Sequence, residues 1–298
     1  MQRLVFILIY PFLLGVSRLP FSLLYLLSDL LFFIIYRVIR YRRKVVRENL
    51  ELVFPEKSSA ERHRIAKGFY LHMCDMFLEM VKTLNISEED LQKHFIFTNL
   101  ETFRQFESQN RSTITFFPHY ASWEWTIALD PHIKSKGYGI YQSLNNKYFD
   151  GWVRRVRARL GTSLITTRES WKIMGRNKAE GIIATYGMLT DQSPTRKKAR
   201  YWAPFMGIPV PMHVGAETLS KKFDLPVLYL KVRKLKRGYY EGTFIVLADQ
   251  PKTVPDYEIT DAFFREVEAA IQEAPEYYFW THKRWKHRNK APEGITKG

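Results

Sequence analysis

Residues Thr113-Ile114-Thr115-Phe116-Phe117-Pro118-His119-Tyr120-Ala121-Ser122-Trp123-Glu124-Trp125 join a β-branched and aromatic run to an abrupt stop at Pro118-His119. Such runs read as strands, and proline, having no amide hydrogen, ends them. Glu124 follows five positions after His119. On one continuous helix, residues five apart stand about 140° from each other, since each residue turns the helix by about 100°. Their side chains would diverge. If His119 closes a strand and Ser122 caps a new helix, Glu124 falls in the first turn and can face back to the imidazole. A neutral imidazole is the usual general base near pH 7, and a neighbouring carboxylate fixes its tautomer and stabilises the imidazolium. The spacing alone also fits a capped, hydrogen-bonded structural histidine.

Working outward, strands and helices alternate. Strands are expected at 114–117, 139–142, 163–165 and 181–187, the last ending near Thr190-Asp191-Gln192. Helices are expected from Ser122 to about Leu129, around the basic residues Arg154, Arg155, Arg157 and Arg159, and over 170–177. Residues 227–233 and 242–247 read as a strand pair joined by a charged turn, and 256–273 as an amphipathic helix. Before these, Ser58-Ser59-Ala60-Glu61 starts a helix running to about Leu84, and residues 48–55 read as a connector ended by Pro55. This alternation predicts an α/β fold, a mixed central sheet flanked by helices. Cys74, between Met73 and Met76 on the long helix, reads as a buried structural thiol.

The whole chain narrows the setting. Its 298 residues suffice for a packed core, and a hydrophobic content of 46% excludes a disordered chain. A formal net charge of +16 and a pI near 9.7 point to an anionic partner. One cysteine excludes an internal disulfide and cysteine-based zinc sites, and fits a reducing compartment. Two apolar runs, 4–16 and 21–39, are separated by Ser17-Arg18-Leu19-Pro20 and followed by Arg40, Arg42, Arg43, Lys44 and Arg47. A spanning helix needs about 20 mostly apolar residues, so the segment either crosses once or inserts as a shallow helical pair. The basic flank places the remainder at the cytoplasmic face. Residues 1–44 therefore read as a membrane anchor on an anionic bilayer surface, and 45–298 as one catalytic domain.

Several pieces, each weak alone, form a specific set along nearly the whole chain. They are the apolar N-terminus, Arg47-Glu48-Asn49-Leu50 with Phe54-Pro55-Glu56, the His119 to Glu124 block, and Gly187-Met188-Leu189-Thr190-Asp191-Gln192. Pro204-Phe205-Met206-Gly207 and Tyr278-Phe279-Trp280-Thr281-His282-Lys283-Arg284-Trp285-Lys286 complete it. In order and spacing the set resembles the late lipid A acyltransferases of Gram-negative envelopes, the lauroyl and myristoyl transferases. The resemblance implies a glycerolipid-acyltransferase-like fold at the inner membrane. It also implies O-acylation of a lipid A precursor from an acyl carrier protein thioester, with His119 and Glu124 as the catalytic dyad. The acid here is Glu where glycerolipid acyltransferases usually have Asp. Their Pro-Glu-Gly-Thr-type phosphate motif is missing, which favours the lipid A branch over lysophospholipid acylation.

Arg168 resembles an arginine near the active site of that family. Its fixed charge suits an oxyanion or an acceptor phosphate, and equally a surface pair with Glu169. Asp191 and Gln192 end a buried strand, where α/β ligand sites form. Asp191 is thus a candidate for an acceptor hydroxyl, for holding Arg168, or for a structural ion pair. Arg196, Lys197, Lys198 and Arg200 follow, and suit an acidic carrier protein, acceptor phosphates or plain solvation. The remaining histidines read as structural or surface residues. Tyr278, Trp280 and Trp285, among Lys283, Arg284 and Lys286, suit packing or a membrane interface. No nucleophile elbow, Walker loop, dinucleotide fingerprint or metal-ligand spacing occurs, so direct attack without an acyl-enzyme, nucleotide cofactor or metal is expected. Alternatives are a lysophospholipid, aminolipid or glycolipid acceptor, or a non-enzymatic basic tethered protein. No nucleic-acid-binding signature supports the last.

Overall fold

A computed structural model describes residues 2–143, 145–195 and 199–290. The chain opens with helices α1 (Gln2–Arg18) and α2 (Phe21–Phe32); α2 continues as π-helix over Phe33–Ile39 and ends where Arg40 turns left-handed at φ 55°. Next comes α3 (Arg43–Val53). The connector expected at 48–55 is therefore mostly helix. Val46, Asn49, Leu50 and Val53 recur every three or four residues and are buried, so packing overrides the polar look of the stretch; Phe54-Pro55 ends it. Helix α4 (Ser59–Lys82) begins with a complete capping box between Ser58 and Glu61. It buries Ile65, Phe69, Met73 and Met76, and Cys74, whose thiol burial pushes up to about 12.

Beyond α4 the α/β core unfolds in order: α5 (Glu88–His94), β1 (Phe95–Phe97), α6 (Leu100–Ser108), β2 (Thr113–Phe117), a 3-10 segment (Glu124–His132), β3 (Lys136–Tyr141) and α7 (Lys147–Arg157). Then follow β4 (Ser163–Thr166), α8 (Thr167–Ala179), β5 (Ala184–Leu189), β6 (Tyr201–Phe205), β7 (Ile208–Met212), α9 (Gly215–Phe223), β8 (Val227–Lys236), β9 (Tyr239–Ala248) and α10 (Glu258–Glu273). Among the described residues, seven strands form a sheet in the order β1-β9-β8-β2-β5-β3-β4, while β6 and β7 make a separate hairpin. All pairs are parallel except β8 with β9, so the sheet is mixed. The hairpin joining β8 and β9 turns at Arg237-Gly238, where Gly238 has φ 76°. The helix expected from Ser122 is instead 3-10 and starts after Trp123. Ala121 lies in the left-handed region at φ 48°, and the buried Ser122 hydroxyl makes no cap.

The first two helices pack on the domain. Leu24 and Ser28 of α2 are fully buried, and Ser28 Oγ donates to Asp75 of α4 at 2.8 Å. Arg237 bridges Asp29 of α2 and the buried Asp75, both at 2.7 Å. Tyr25 donates to Glu79 at 2.9 Å, and Lys82 to the Leu19 carbonyl at 2.7 Å. The opposite face leaves Leu4, Leu8 and Phe12 of α1 and Leu23, Leu26, Leu30 and Phe33 exposed. Phe21–Ile39 is, among the described residues, the one helix long and apolar enough to cross a membrane, which by itself is weak evidence for a span. The expected boundary at residue 44 falls inside α3.

Candidate active site

Neighbouring strands β2 and β5 run parallel with Phe117 opposite Leu189. Two residues further on, His119 and Asp191 leave the carboxyl ends of these strands side by side. The Nδ1–H of His119 donates to Asp191 Oδ1 at 2.7 Å. Asp191 is buried at 1% exposure, whereas the imidazole is 19% exposed at the rim of a cavity. Burial alone would raise the pKa of Asp191. The charge of His119, its side-chain and backbone hydrogen bonds, and the amide of Asp191 itself outweigh burial and hold the carboxyl below its usual range. The Gln192 side-chain amide donates to His119 Nε2 at 3.2 Å, so Nε2 presents a lone pair. Nδ1–H and a basic Nε2 therefore follow from the bonding partners.

Glu124 does not reach His119. Both its oxygens are taken by Arg157 of α7, Oε2 by Nε at 3.0 Å and Oε1 by Nη2 at 2.5 Å, and Trp123 Nε1 donates to Oε1 at 3.1 Å. This corrects the geometry expected from the five-residue spacing: sheet register sets the partner of His119. Glu124 and Arg157 still line the same cavity, and the bidentate fork fixes both. Nothing in the residue type sets Arg157 apart from its basic neighbours Arg154, Arg155 and Arg159. The available signal was phase: Trp152 and Val156 mark the buried side of α7, and Arg157 borders it.

The turn carrying His119 is held from several directions. Phe279 stacks near the imidazole with centroids 6.2 Å apart and Trp123 meets it edge-on at 5.2 Å. The Phe279 amide donates to the His119 carbonyl at 3.1 Å, and the Ala121 amide to Tyr277. His72 is buried, and burial keeps it neutral; Lys234 donates to its Nδ1 at 3.2 Å, so its Nε2–H donates to the Ala121 carbonyl at 3.2 Å. Asn49 of α3 donates to the Trp280 and His282 carbonyls at 2.8 and 2.9 Å. His282, lowered by burial to about 4, accepts from the Ser193 amide at 3.3 Å. Buried Arg284 donates to the Pro211 carbonyl at 3.1 Å, and its pKa falls to about 10 through burial. Tyr278, Trp280 and Trp285 are buried to 2% or less, so the C-terminal motif is a packing element.

Behind His119 a cavity of about 630 Å³ runs over the sheet, within the usual 300–1,000 Å³ of ligand sites. Its floor is a row of small residues in register: Thr115 pairs with Gly187, and Gly187 with Gly139. A Cβ on Gly187 would stand 3.1 Å from the Phe117 ring, and one on Gly139 only 2.8 Å from Leu164. Glycine keeps this groove open. Asp130 also borders the cavity, taking the Thr162 amide at 2.7 Å and hydroxyl at 2.5 Å, and burial lifts its carboxyl to about 6 despite those bonds.

The other expected residues scatter. Gln192 joins the site, but Arg168 is exposed on the first turn of α8, one step of about 100° past Thr167, which does line the cavity. Glu169 is engaged in a capping box with Thr166 rather than paired with Arg168. Arg200 is exposed, and Arg196, Lys197 and Lys198 lie outside the described residues. His213, read as structural or surface, borders the cavity.

Comparison with known proteins bears on the family of the chain as a whole. The family model described as bacterial lipid A biosynthesis acyltransferase matches residues 1–287. The Escherichia coli (strain K12) lipid A biosynthesis palmitoleoyltransferase is 24% identical over 283 residues, covering 91% of this chain and 87% of that protein. The lauroyltransferase of the same organism is 24% identical over 282 residues, covering 94% and 90%. A Shigella flexneri lipid A biosynthesis acyltransferase is 24% identical over 283 residues, covering 91% and 87%. The chain is thus an acyltransferase and belongs to the bacterial lipid A biosynthesis acyltransferase family.

Proposed function

We propose that this enzyme moves a fatty acyl chain from an acyl carrier protein thioester to a hydroxyl of a lipid A precursor, on the cytoplasmic face of the inner membrane. The observation that carries the mechanism is the His119–Asp191 bond at the rim of a groove floored by small residues. The acceptor hydroxyl takes the place of the Gln192 amide at His119 Nε2. As its oxygen attacks the thioester carbonyl, Nε2 accepts the proton, and the ionised Asp191 stabilises the imidazolium. Collapse of the tetrahedral intermediate expels the carrier's thiolate, which takes that proton from His119. No acyl-enzyme forms and no cofactor takes part. The Glu124–Arg157 fork fixes the guanidinium in the same groove, so that its remaining N–H donors are oriented toward the oxyanion as it develops. The acyl tail lies along Thr115, Gly187 and Gly139.

The membrane face consists of the exposed sides of α1 and α2. Tyr25, Ser28 and Asp29 tie α2 to Asp75, Glu79 and Arg237, so standing the helix across a bilayer would draw those ionisable groups into hydrocarbon. Lying in the leaflet avoids that cost. Exposed Arg168 and Arg200 are then available to the acceptor's phosphates or the carrier's acidic surface. The test is acyl transfer in vitro from carrier-protein thioesters to tetra-acylated precursor. His119→Ala is expected to abolish turnover with the protein folded, and full activity in that variant refutes the mechanism. A wild type that acylates only lysophospholipid would instead overturn the acceptor.

A further inference from the structure

A second cavity, of about 390 Å³, lies where the apolar α2 segment ends and α3 begins. Arg40, Arg43, Lys44, Arg47 and Arg62 line it, against one carboxylate, Glu51. The clustering follows from the backbone. Arg40 and Arg42 both take left-handed conformations, at φ 55° and 50°, turning the chain sharply out of the helix that ends at Ile39. Residues 43, 44, 47 and 51 then share one face of α3 by helical spacing. Arg42 and Asn49 face the other way, holding the Thr281, Trp280 and His282 carbonyls.

Most of this charge is not neutralised. Among the described residues, Arg40 and Arg43 have no carboxylate partner. Lys44 and Arg47 make only loose 3.8 Å contacts with exposed Glu48 and Glu51. Arg43 lies over the Tyr36 ring at 4.7 Å, which places its guanidinium without discharging it. Arg62 donates to the carbonyls of Phe54 and Lys57, so it is fixed in the wall by neutral groups. The first turn of α3 contains no acid and no side chain caps it, so its amides add to the positive potential. Arg40, Lys44 and Arg47 are exposed, so water screens the cluster in the free protein, and a cleft lined by one sign of charge concentrates anions from solution. Val38 and Ile39, immediately before Arg40, are more than 60% exposed and apolar, which sets the cavity at headgroup depth for a leaflet-embedded α2.

We propose that this cavity binds the phosphate group of an anionic membrane lipid, at a site separate from the His119 groove. The chemistry required is one phosphate among several guanidinium groups, which both a lipid headgroup and free phosphate could supply; the position after Ile39 selects the lipid. The full-length protein is tested with two probes, inorganic phosphate and vesicles of phosphatidylcholine with or without phosphatidylglycerol. The variant is Arg40→Gln/Arg43→Gln/Arg47→Gln, which leaves the wall residue Arg62 in place. A charge-matched control is Lys172→Gln/Arg176→Gln/Lys252→Gln, on exposed positions elsewhere.

Millimolar phosphate is expected to raise the melting temperature of wild type and control, but not of the pocket variant. Affinity for phosphatidylglycerol vesicles should fall by a factor of about 5 per cation removed from a site at the surface. The pocket variant should thus lose at least tenfold more than the control. Equal losses in the two variants would reduce the effect to diffuse attraction and overturn the site. Binding of phosphate with no dependence on vesicle composition would overturn the lipid as its source. Acyl transfer enters neither readout, so the outcome is independent of the proposed reaction.

Discussion

Replacing Asp191 by Asn separates the two acids that could serve His119. The Asp191 carboxylate accepts not only His119 Nδ1–H at 2.7 Å but also the backbone amides of His119 and of Asp191 itself, and the Tyr278 hydroxyl interacts with it. An amide has only one accepting end. With backbone N–H groups fixed on one side, its NH₂ must turn toward the imidazole, since facing it to other donors would leave buried groups unpaired. Nδ1 then becomes the acceptor, the proton moves to Nε2, and the base is lost while the fold is kept. A tautomer reversal of this kind costs about 10⁴-fold in a serine protease triad, so a loss of roughly 10³–10⁴ in kcat/KM, or about 4–5.5 kcal/mol of barrier, is expected. Glu124→Gln breaks a charge-assisted pair with Arg157 without touching that tautomer. A loss of about 10–150-fold follows from roughly 1.5–3 kcal/mol. Steady-state acyl transfer measures both, and ¹⁵N shifts of His119 report the tautomer directly. If Asp191→Asn stays within tenfold of wild type while Glu124→Gln falls a thousandfold, Asp191 is not the partner of His119 in catalysis.

Further outcomes can be checked in the same way. Gly187→Ala sets a methyl against the Phe117 ring at 3.1 Å, and should lower kcat/KM for long acyl donors relative to short ones, with no change in secondary structure by circular dichroism. Arg237→Ala leaves buried Asp75 with fewer partners and frees Asp29, so a loss of about 2–4 kcal/mol in urea unfolding is expected; an unchanged midpoint would show that α2 docks without this cluster. His282 titrates near 4 in the folded protein against an ordinary 6.5, so the unfolded chain binds the extra proton between these values. Stability is then complete above pH 6.5 and falls as the pH drops toward 4, by about 2 kcal/mol after allowance for partial solvent access. His282→Gln should flatten that part of the urea-midpoint profile, and a profile as steep as wild type would point to another group.

Local features of the fold were legible where short-range chemistry decides them. Ser58 and Glu61 announced the start of α4, Ile114 to Phe117 the strand β2, and the pair β8 and β9 their hairpin. Stretches whose structure depends on distant neighbours were not. The helix α3 looked like a connector because its buried Asn49 serves carbonyls more than two hundred positions away. The strands β1, β6 and β7 are short, and Pro204, Pro209 and Pro211 disguise the last two. For the site, His119 could be picked from its own surroundings, since a histidine at a strand end is a local pattern. Its acid could not: Glu124 was the nearest carboxylate along the chain, but the β2–β5 register brings Asp191, 72 positions away. Arg168 stands outside the groove for a related reason, one residue of helical phase being enough to turn it away from the lining.

The segment from Tyr277 to Trp285 threads between the His119 turn and α3, and this sets an order on biogenesis. A ribosome adding about 5–20 residues/s reaches Phe279 roughly 8–30 s after His119. During that interval α1 and α2 have already left the ribosome, while the imidazole still lacks the backbone and ring contacts of Phe279. On the membrane placement proposed above, nascent chains meet the bilayer before their active site is complete, and an enzyme released early, without these last residues, settles there without the contacts that hold His119.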